Sequence, residues 1–202
     1  MTTAPLFVSL EGLDGTGKTT QAAMLVESVR ASGREVVAVR EPGGTAVGER
    51  VRGLLLDPEA EIAPWTEALL YAAARAQLVH DVIRPALARG AVVVADRFVD
   101  SSLAYQGIAR GLGVDLVQAV NEAATGGLYP DRTLLLALPE EAASTRRGAT
   151  PDRMEAEHEA FHLAVADGFA QTLARFPGRV RSVDASGTAE EVAARVREAA
   201  GL

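Results

Sequence analysis

One lysine occurs in the 202 residues, and it stands in Gly12-Leu13-Asp14-Gly15-Thr16-Gly17-Lys18-Thr19. That spacing fits G-x-x-x-x-G-K-[ST] without a mismatch, the pattern whose backbone N–H groups cradle phosphates while lysine reaches the β- and γ-oxygens. All other basic side chains are arginine. A compact ammonium is thus kept for the one place where a mobile point charge is useful. An apolar run, Leu6 to Leu10, precedes the loop, and Leu25, Val26 and Val29 recur at helical spacing after Thr20. Strand, loop and helix in this order aim the helix N-terminus at an anion. The loop from Gly12 to Thr20 is therefore expected to bind β- and γ-phosphates.

Asp96 follows Val92-Val93-Val94-Ala95 and ends a strand-like run, where open α/β sheets place their ligands. A carboxylate there suits Mg²⁺ together with the Thr19 hydroxyl, and Arg97 beside it offers a fork for an acceptor phosphate. Further on, Arg146-Arg147-Gly148-Ala149-Thr150-Pro151-Asp152-Arg153 joins three arginines to Gly and Pro between two helices. This composition suits a short lid over about residues 146–153 that excludes water and neutralises developing charge. The stretch Phe98 to Gly107 gathers hydroxyls, an amide and an aromatic ring, and by itself decides nothing.

The elements that must hold these groups can be read from apolar runs. Leu6–Leu10, Glu35–Arg40, Ala91–Asp96, Thr133–Leu138 and Val180–Asp184 are continuous in apolar residues and read as buried parallel strands. Between them, Trp65–Arg89 (with a kink or restart at Pro85), Val114–Ala124, Met154–Phe176 and Thr188–Ala200 read as helices. Strands alternating with helices imply a doubly wound α/β sheet. The length and the 48% hydrophobic content suit one domain over residues 1–202. Absence of cysteine excludes disulfides and thiol catalysis, no segment has the apolar length of a membrane span, and the N-terminus carries no basic targeting patch. A cytoplasmic protein is expected. A net charge of −7 argues against a nucleic-acid polymer as partner, but not against small phosphorylated ligands met by local arginines.

Three further motifs, Glu41-Pro42-Gly43-Gly44-Thr45, Asp96-Arg97-Phe98 and Ser101-Ser102-Leu103-Ala104-Tyr105-Gln106-Gly107, stand behind the phosphate loop. With that loop they resemble the bacterial thymidylate kinases, from about Phe7 through Glu155. The resemblance implies a three-layer P-loop NTPase fold with a five-stranded parallel sheet, a homodimer, and transfer of the ATP γ-phosphate to dTMP, giving dTDP and ADP. It implies that Asp14 accepts the deoxyribose 3′-hydroxyl and that Arg97 and Arg52 clamp the dTMP phosphate. Tyr71 takes the place of a ring, usually Phe, that stacks on thymine. Arg75 takes the place of the donor to O4, Ser102 and Gln106 match base-contacting positions, and Tyr105 matches the ring that disfavours ribose. Tyr71 and Arg75, four apart, would share one helix face.

A phosphate monoester is already dianionic at neutral pH and needs no general base. What remains is to hold two polyanions in line with Lys18, Mg²⁺ and arginines. In the family the additional arginine sits in the phosphate loop or the lid. Gly15 occupies the loop position here, which leaves Arg147 and Arg153 as the catalytic candidates, with Arg146 behind them. The loop at Asp184-Ala185-Ser186-Gly187-Thr188 resembles the one that lies along adenine. Two other readings compete: a nucleoside kinase with a hydroxyl acceptor, served by Asp14, Asp96 or Asp100 as base, and a P-loop ATPase switch.

Overall fold

The computed structural model describes residues 4–139, 142–143 and 152–202. Five parallel strands, β1 (Leu6–Glu11), β2 (Val36–Arg40), β3 (Val92–Asp96), β4 (Arg132–Ala137) and β5 (Val180–Asp184), form one sheet in the order β2-β3-β1-β4-β5. Each begins and ends within a residue of the apolar run that announced it. Register pairs Leu10 with Asp96 and Asp96 with Arg40, which gathers Glu11, Arg40 and Asp96 at one carboxyl edge.

Alternation along β1 and β3 builds a layer on each face of the sheet. On one, Val8, Leu10, Val92 and Val94 meet Leu25 and Val29 of α1 (Lys18–Ala31) and Val192 and Val196 of α8 (Ala189–Ala200). On the other, Phe7, Val93 and Ala95 meet Leu78 of α3 (Pro64–Leu78), Phe98, Leu103 and Val117 of α6 (Val114–Thr125). A third cluster beside the cleft joins Leu13, Tyr105 and Met154 to Phe161, Val165 and Phe169 of α7 (Glu159–Arg175). The polar Ser9 and Thr133 are fully buried in adjacent strands and satisfy each other at 3.0 Å.

Several helices differ from expectation. The long stretch ending at Arg89 is divided: a π-helical segment, Val79–Ile83, follows α3, and Pro85 stands in the first turn of α4 (Arg84–Ala88). Proline lacks the N–H that would continue the ladder, and a wider turn before it absorbs the missing bond. The helix expected from Met154 begins only at Glu159. Before it, Asp152 Oδ1 accepts from the N–H groups of Met154 and Glu155, both at 2.9 Å, and closes a separate turn. His158 then caps α7 through Phe161 N–H at 3.0 Å. Three elements were not foreseen: α2 (Ala46–Leu56), capped by Thr45, α5 (Val99–Ser102) and a π-helical segment over Leu103–Ala109.

Candidate active site

The cleft lies over the carboxyl edge of the sheet, encloses about 790 Å³ and is lined by the residues that follow β1, β2, β3 and β5. At its floor the loop from Gly12 turns into α1, whose N-cap, Gly17, supplies no side-chain cap. The first N–H groups of α1 thus keep their donors for a ligand. Lys18 is 6% exposed, donates to Leu13 O at 2.8 Å and stands 3.5 Å from Asp14 Oδ1. Burial, reinforced by Arg97, pulls its ammonium down to about 8.

Thr19 Oγ1 donates to Asp96 Oδ2 at 2.6 Å. One hydroxyl and one carboxylate oxygen, side by side under the phosphate site, fit a Mg²⁺ ion, which takes few protein ligands and keeps water and phosphate oxygens. Among the described residues no three His, Cys, Asp or Glu side chains gather as a metal cage.

The half of the cleft beside β3 is organised by Arg97. Its backbone φ of 71° is the one positive value among the described non-glycine residues, a sparsely populated conformation that is maintained only where the surroundings enforce it. Those surroundings are visible. Arg97 N–H continues the sheet to Leu10 O at 3.0 Å, and Phe98 N–H donates to the buried Glu11 Oε1 at 2.7 Å. The guanidinium donates to Gly12 O at 3.1 Å, to Ser101 Oγ at 3.0 Å and to Asp14 Oδ1 at 2.5 Å. Ser101 in turn donates to Glu11 Oε2 at 2.5 Å. Burial pushes the Glu11 carboxyl up to about 8, and Asp100 adds to the effect. Burial also works to raise Asp14, but Arg97 and Lys18 outweigh it and hold that carboxyl well below the usual range.

Arg52 lines the same half and donates to Pro42 O at 2.9 Å. Tyr71 and Tyr105 flank it, and burial raises both hydroxyls, so they stay neutral. The Tyr105 hydroxyl donates to Asp14 Oδ2 at 3.3 Å, and its ring packs edge-on against Phe161 and Phe169. Arg75, expected at the base, is the largest fully buried side chain. Its N–H groups go to Glu41 Oε2 (2.7 Å from Nε, 2.5 Å from Nη2), Ser102 Oγ (3.0 Å), Phe98 O (3.2 Å) and Asn121 Oδ1. Ser102 and Gln106, expected at the base, therefore line the cleft beside a guanidinium already held in a buried network.

Arg153 is where the structure departs furthest from the sequence reading. Its Nε donates to Leu55 O at 2.7 Å and its Nη2 to Glu67 Oε2 at 2.8 Å, so the guanidinium ties the last residue of the expected 146–153 lid to α2 and α3. Arg146 and Arg147 lie outside the described residues. Gly15 at the loop tip has φ 86°, and a Cβ there would overlap the Ala143 carbonyl oxygen. An arginine at this loop position would have to displace that turn.

Sequence reasoning passed over Glu11, Glu41, Glu67 and Asn121, all at most 6% exposed. Glu11 carried a readable signal, an acidic residue ending an apolar strand next to the phosphate loop. Glu67 and Asn121 carried none, because in helices these residue types ordinarily face water. Gln21, Ala185, Gly187 and Ala189 also line the cleft, so two residues of the 184–188 loop border it.

Comparison with known proteins is consistent across the chain. A family model described as thymidylate kinase matches residues 10–196. A thymidylate kinase of Gloeobacter violaceus is 50% identical over 198 residues, 96% of this chain and 93% of the relative. One from Caldanaerobacter subterraneus subsp. tengcongensis is 51% identical over 179 residues, covering 88% and 86%. The crystal structure of a thymidylate kinase from Ehrlichia chaffeensis superposes with a TM-score of 0.79 at 30% identity, over 96% of this chain and 98% of that one.

Proposed function

The chain belongs to the thymidylate kinase family, and on that premise we propose that it transfers the γ-phosphate of ATP to dTMP, giving dTDP and ADP. The observation that carries this reading is the fate of the candidate bases. A hydroxyl acceptor needs one, yet Asp14 is locked in its charged form by Arg97 and Lys18, Asp96 is committed to Thr19, and Asp100 is paired with Arg179 at 2.6 and 2.8 Å. All three are already engaged by other side chains. A dianionic phosphate needs none, and the acceptor half offers it Arg97 and Arg52.

In this reading the triphosphate lies on the first turn of α1 with Lys18 against its outer oxygens. Thr19 and Asp96 would hold Mg²⁺, which would supply charge neutralisation to the phosphates. Arg97 and Arg52 hold the dTMP phosphate in line, and the Arg97 conformation is fixed in advance by Glu11 and Ser101, which lowers the ordering cost at the moment of reaction. Asp14 receives the 3′-hydroxyl, Tyr105 crowds C2′, Tyr71 stacks on the base, and Ser102 and Gln106 read its edge, while Arg75, whose five N–H groups all go to Glu41, Ser102, Asn121 and Phe98 O, holds Ser102 from behind. Arg147 is assigned the role of neutralising the transferred group, and Arg153 that of anchoring the lid's far end.

Two coarser features complete the proposal. None of the described helices is long and apolar enough to cross a membrane, and a cytoplasmic site of action suits the substrates. A homodimer is supported by Val47, Leu54, Trp65, Leu69 and Leu116, large apolar side chains 39 to 60% exposed on α2, α3 and α6, which pack side by side. ADP release measured with dTMP, dUMP, dCMP and thymidine in parallel tests the function. The highest kcat/KM is expected for dTMP, and release with thymidine but not dTMP would overturn it.

A further inference from the structure

Glu67 lies in α3 one turn before Tyr71 with no exposed surface, and phosphoryl transfer alone gives no reason for a carboxylate there. Three side chains converge on it. Gln106 Nε2 donates to Oε1 at 2.9 Å, Arg110 donates to both oxygens at 3.2 and 3.1 Å, and Arg153 Nη2 donates to Oε2 at 2.8 Å. Arg110 is itself placed by Glu157 at 2.6 Å and lies over the Phe161 ring. Burial works to raise the Glu67 carboxyl, but the bonds from Arg110 and Gln106 outweigh it, so the group stays ionised.

An ionised carboxylate only accepts hydrogen bonds. The Gln106 atom that faces it must therefore be the NH₂ group, which settles an amide orientation that is otherwise ambiguous. The oxygen of the same amide is left for the cleft, which Gln106 lines. We propose that Glu67 is a specificity-positioning residue: it locks the Gln106 amide so that its oxygen meets the N3–H of thymine. Thymine donates at N3, whereas cytosine accepts there. An amide free to turn would suit either ring, but a locked one suits only the donor. The two arginines keep Glu67 charged and so prevent the turn. This rests on the proposed function and names the residue that enforces its choice of base.

The test compares kcat/KM for dTMP and dCMP. In Glu67→Gln, which has nearly the same shape but can donate, the dTMP:dCMP ratio is expected to fall about tenfold, the worth of one hydrogen bond. In a Gln106→Leu background the same substitution should change the ratio less than about twofold, since the effect passes through that amide. Glu67→Asp keeps an acceptor-only partner and should retain the wild-type ratio better than Glu67→Gln. A merely structural role gives the opposite order, because Asp alters the packing more. An unchanged ratio in folded Glu67→Gln, or an equal fall in the Gln106→Leu background, overturns the proposal. Should the Gln variant not fold, amide NMR of the unaltered protein decides. The Gln106 NH₂ signal, assigned by its loss in Gln106→Leu, should be slow to exchange and nearly unmoved by dTMP, and a large shift would overturn the lock. Wild-type activity on dTMP tests the function separately, so the two failures are distinguishable.

Discussion

Lys18 shows most directly how the site trades stability for binding. Its ammonium falls from an ordinary 10.5 to about 8 because it is buried beside Arg97 before any phosphate arrives. Below pH 8 both folded and unfolded chains carry the proton, and the fold bears a cost on the order of 3 kcal/mol. Between pH 8 and 10.5 only the unfolded chain keeps it, so stability rises with pH across that window. Lys18→Met should therefore raise the melting temperature at pH 7 by a few degrees, net of the lost bond to Leu13 O, and remove the rise above pH 8. Turnover should drop about a hundredfold or more, since one aimed charge is lost. Calorimetry across pH and a steady-state assay check both halves. Asp14→Asn is expected to act on the other partner: it frees Arg97 from its 2.5 Å contact and should raise KM for dTMP more than KM for ATP.

At the scale of elements, the π-helical segment Leu103–Ala109 does what no propensity scale would have assigned to it. Its wider turn presents Tyr105 and Gln106 to the cleft while Leu103 and Ala104 are buried against the core. The helix Glu159–Arg175 presses on it at Gly168, where an added Cβ would lie 2.7 Å from Ala104 Cα and 3.0 Å from Ala104 O. Because backbone cannot yield as a side chain can, Gly168→Ala should destabilise the protein by about 1 to 3 kcal/mol in denaturant unfolding. It should weaken dTMP binding while leaving ATP binding nearly unchanged, since the displaced segment carries only acceptor residues. The same contrast explains what could be read beforehand. Strands were legible because continuous Val and Leu runs have one use in a parallel sheet, and the phosphate loop because its glycines and lysine are chemically irreplaceable. The π turn, the buried Glu67 and Asn121, and the anchoring of Arg153 were not legible. Each depends on which distant partner arrives, Arg75 for Asn121 and Arg110 for Glu67, and local pattern carries no record of that.

For the molecule as a whole, α3 faces two ways, and in the proposed homodimer this would link assembly to base recognition. Inward it carries Glu67 and Arg75, buried in the networks behind the base, with Tyr71 on the cleft; outward it leaves Trp65 39% and Leu69 53% exposed. Helix α2 beside it exposes Val47 and Leu54, seven apart on one face, and α6 on its other side exposes Leu116. A stable interface needs about 800 Å² from each partner, and three adjacent helices can supply that area. Covering this face with a second copy would hold α3 from behind while it grips the nucleotide. Leu69→Glu places a charge at the centre of the patch and leaves the inward face untouched. Sedimentation velocity should then report a monomer for this variant and, as the proposed homodimer requires, a dimer for the unaltered chain. KM for dTMP should rise severalfold as α3 loses its support, with KM for ATP, bound over α1, much less affected. A Leu69→Glu protein that sediments like the unaltered dimer would place the interface elsewhere, and one that becomes monomeric with an unchanged KM for dTMP would separate assembly from the base pocket.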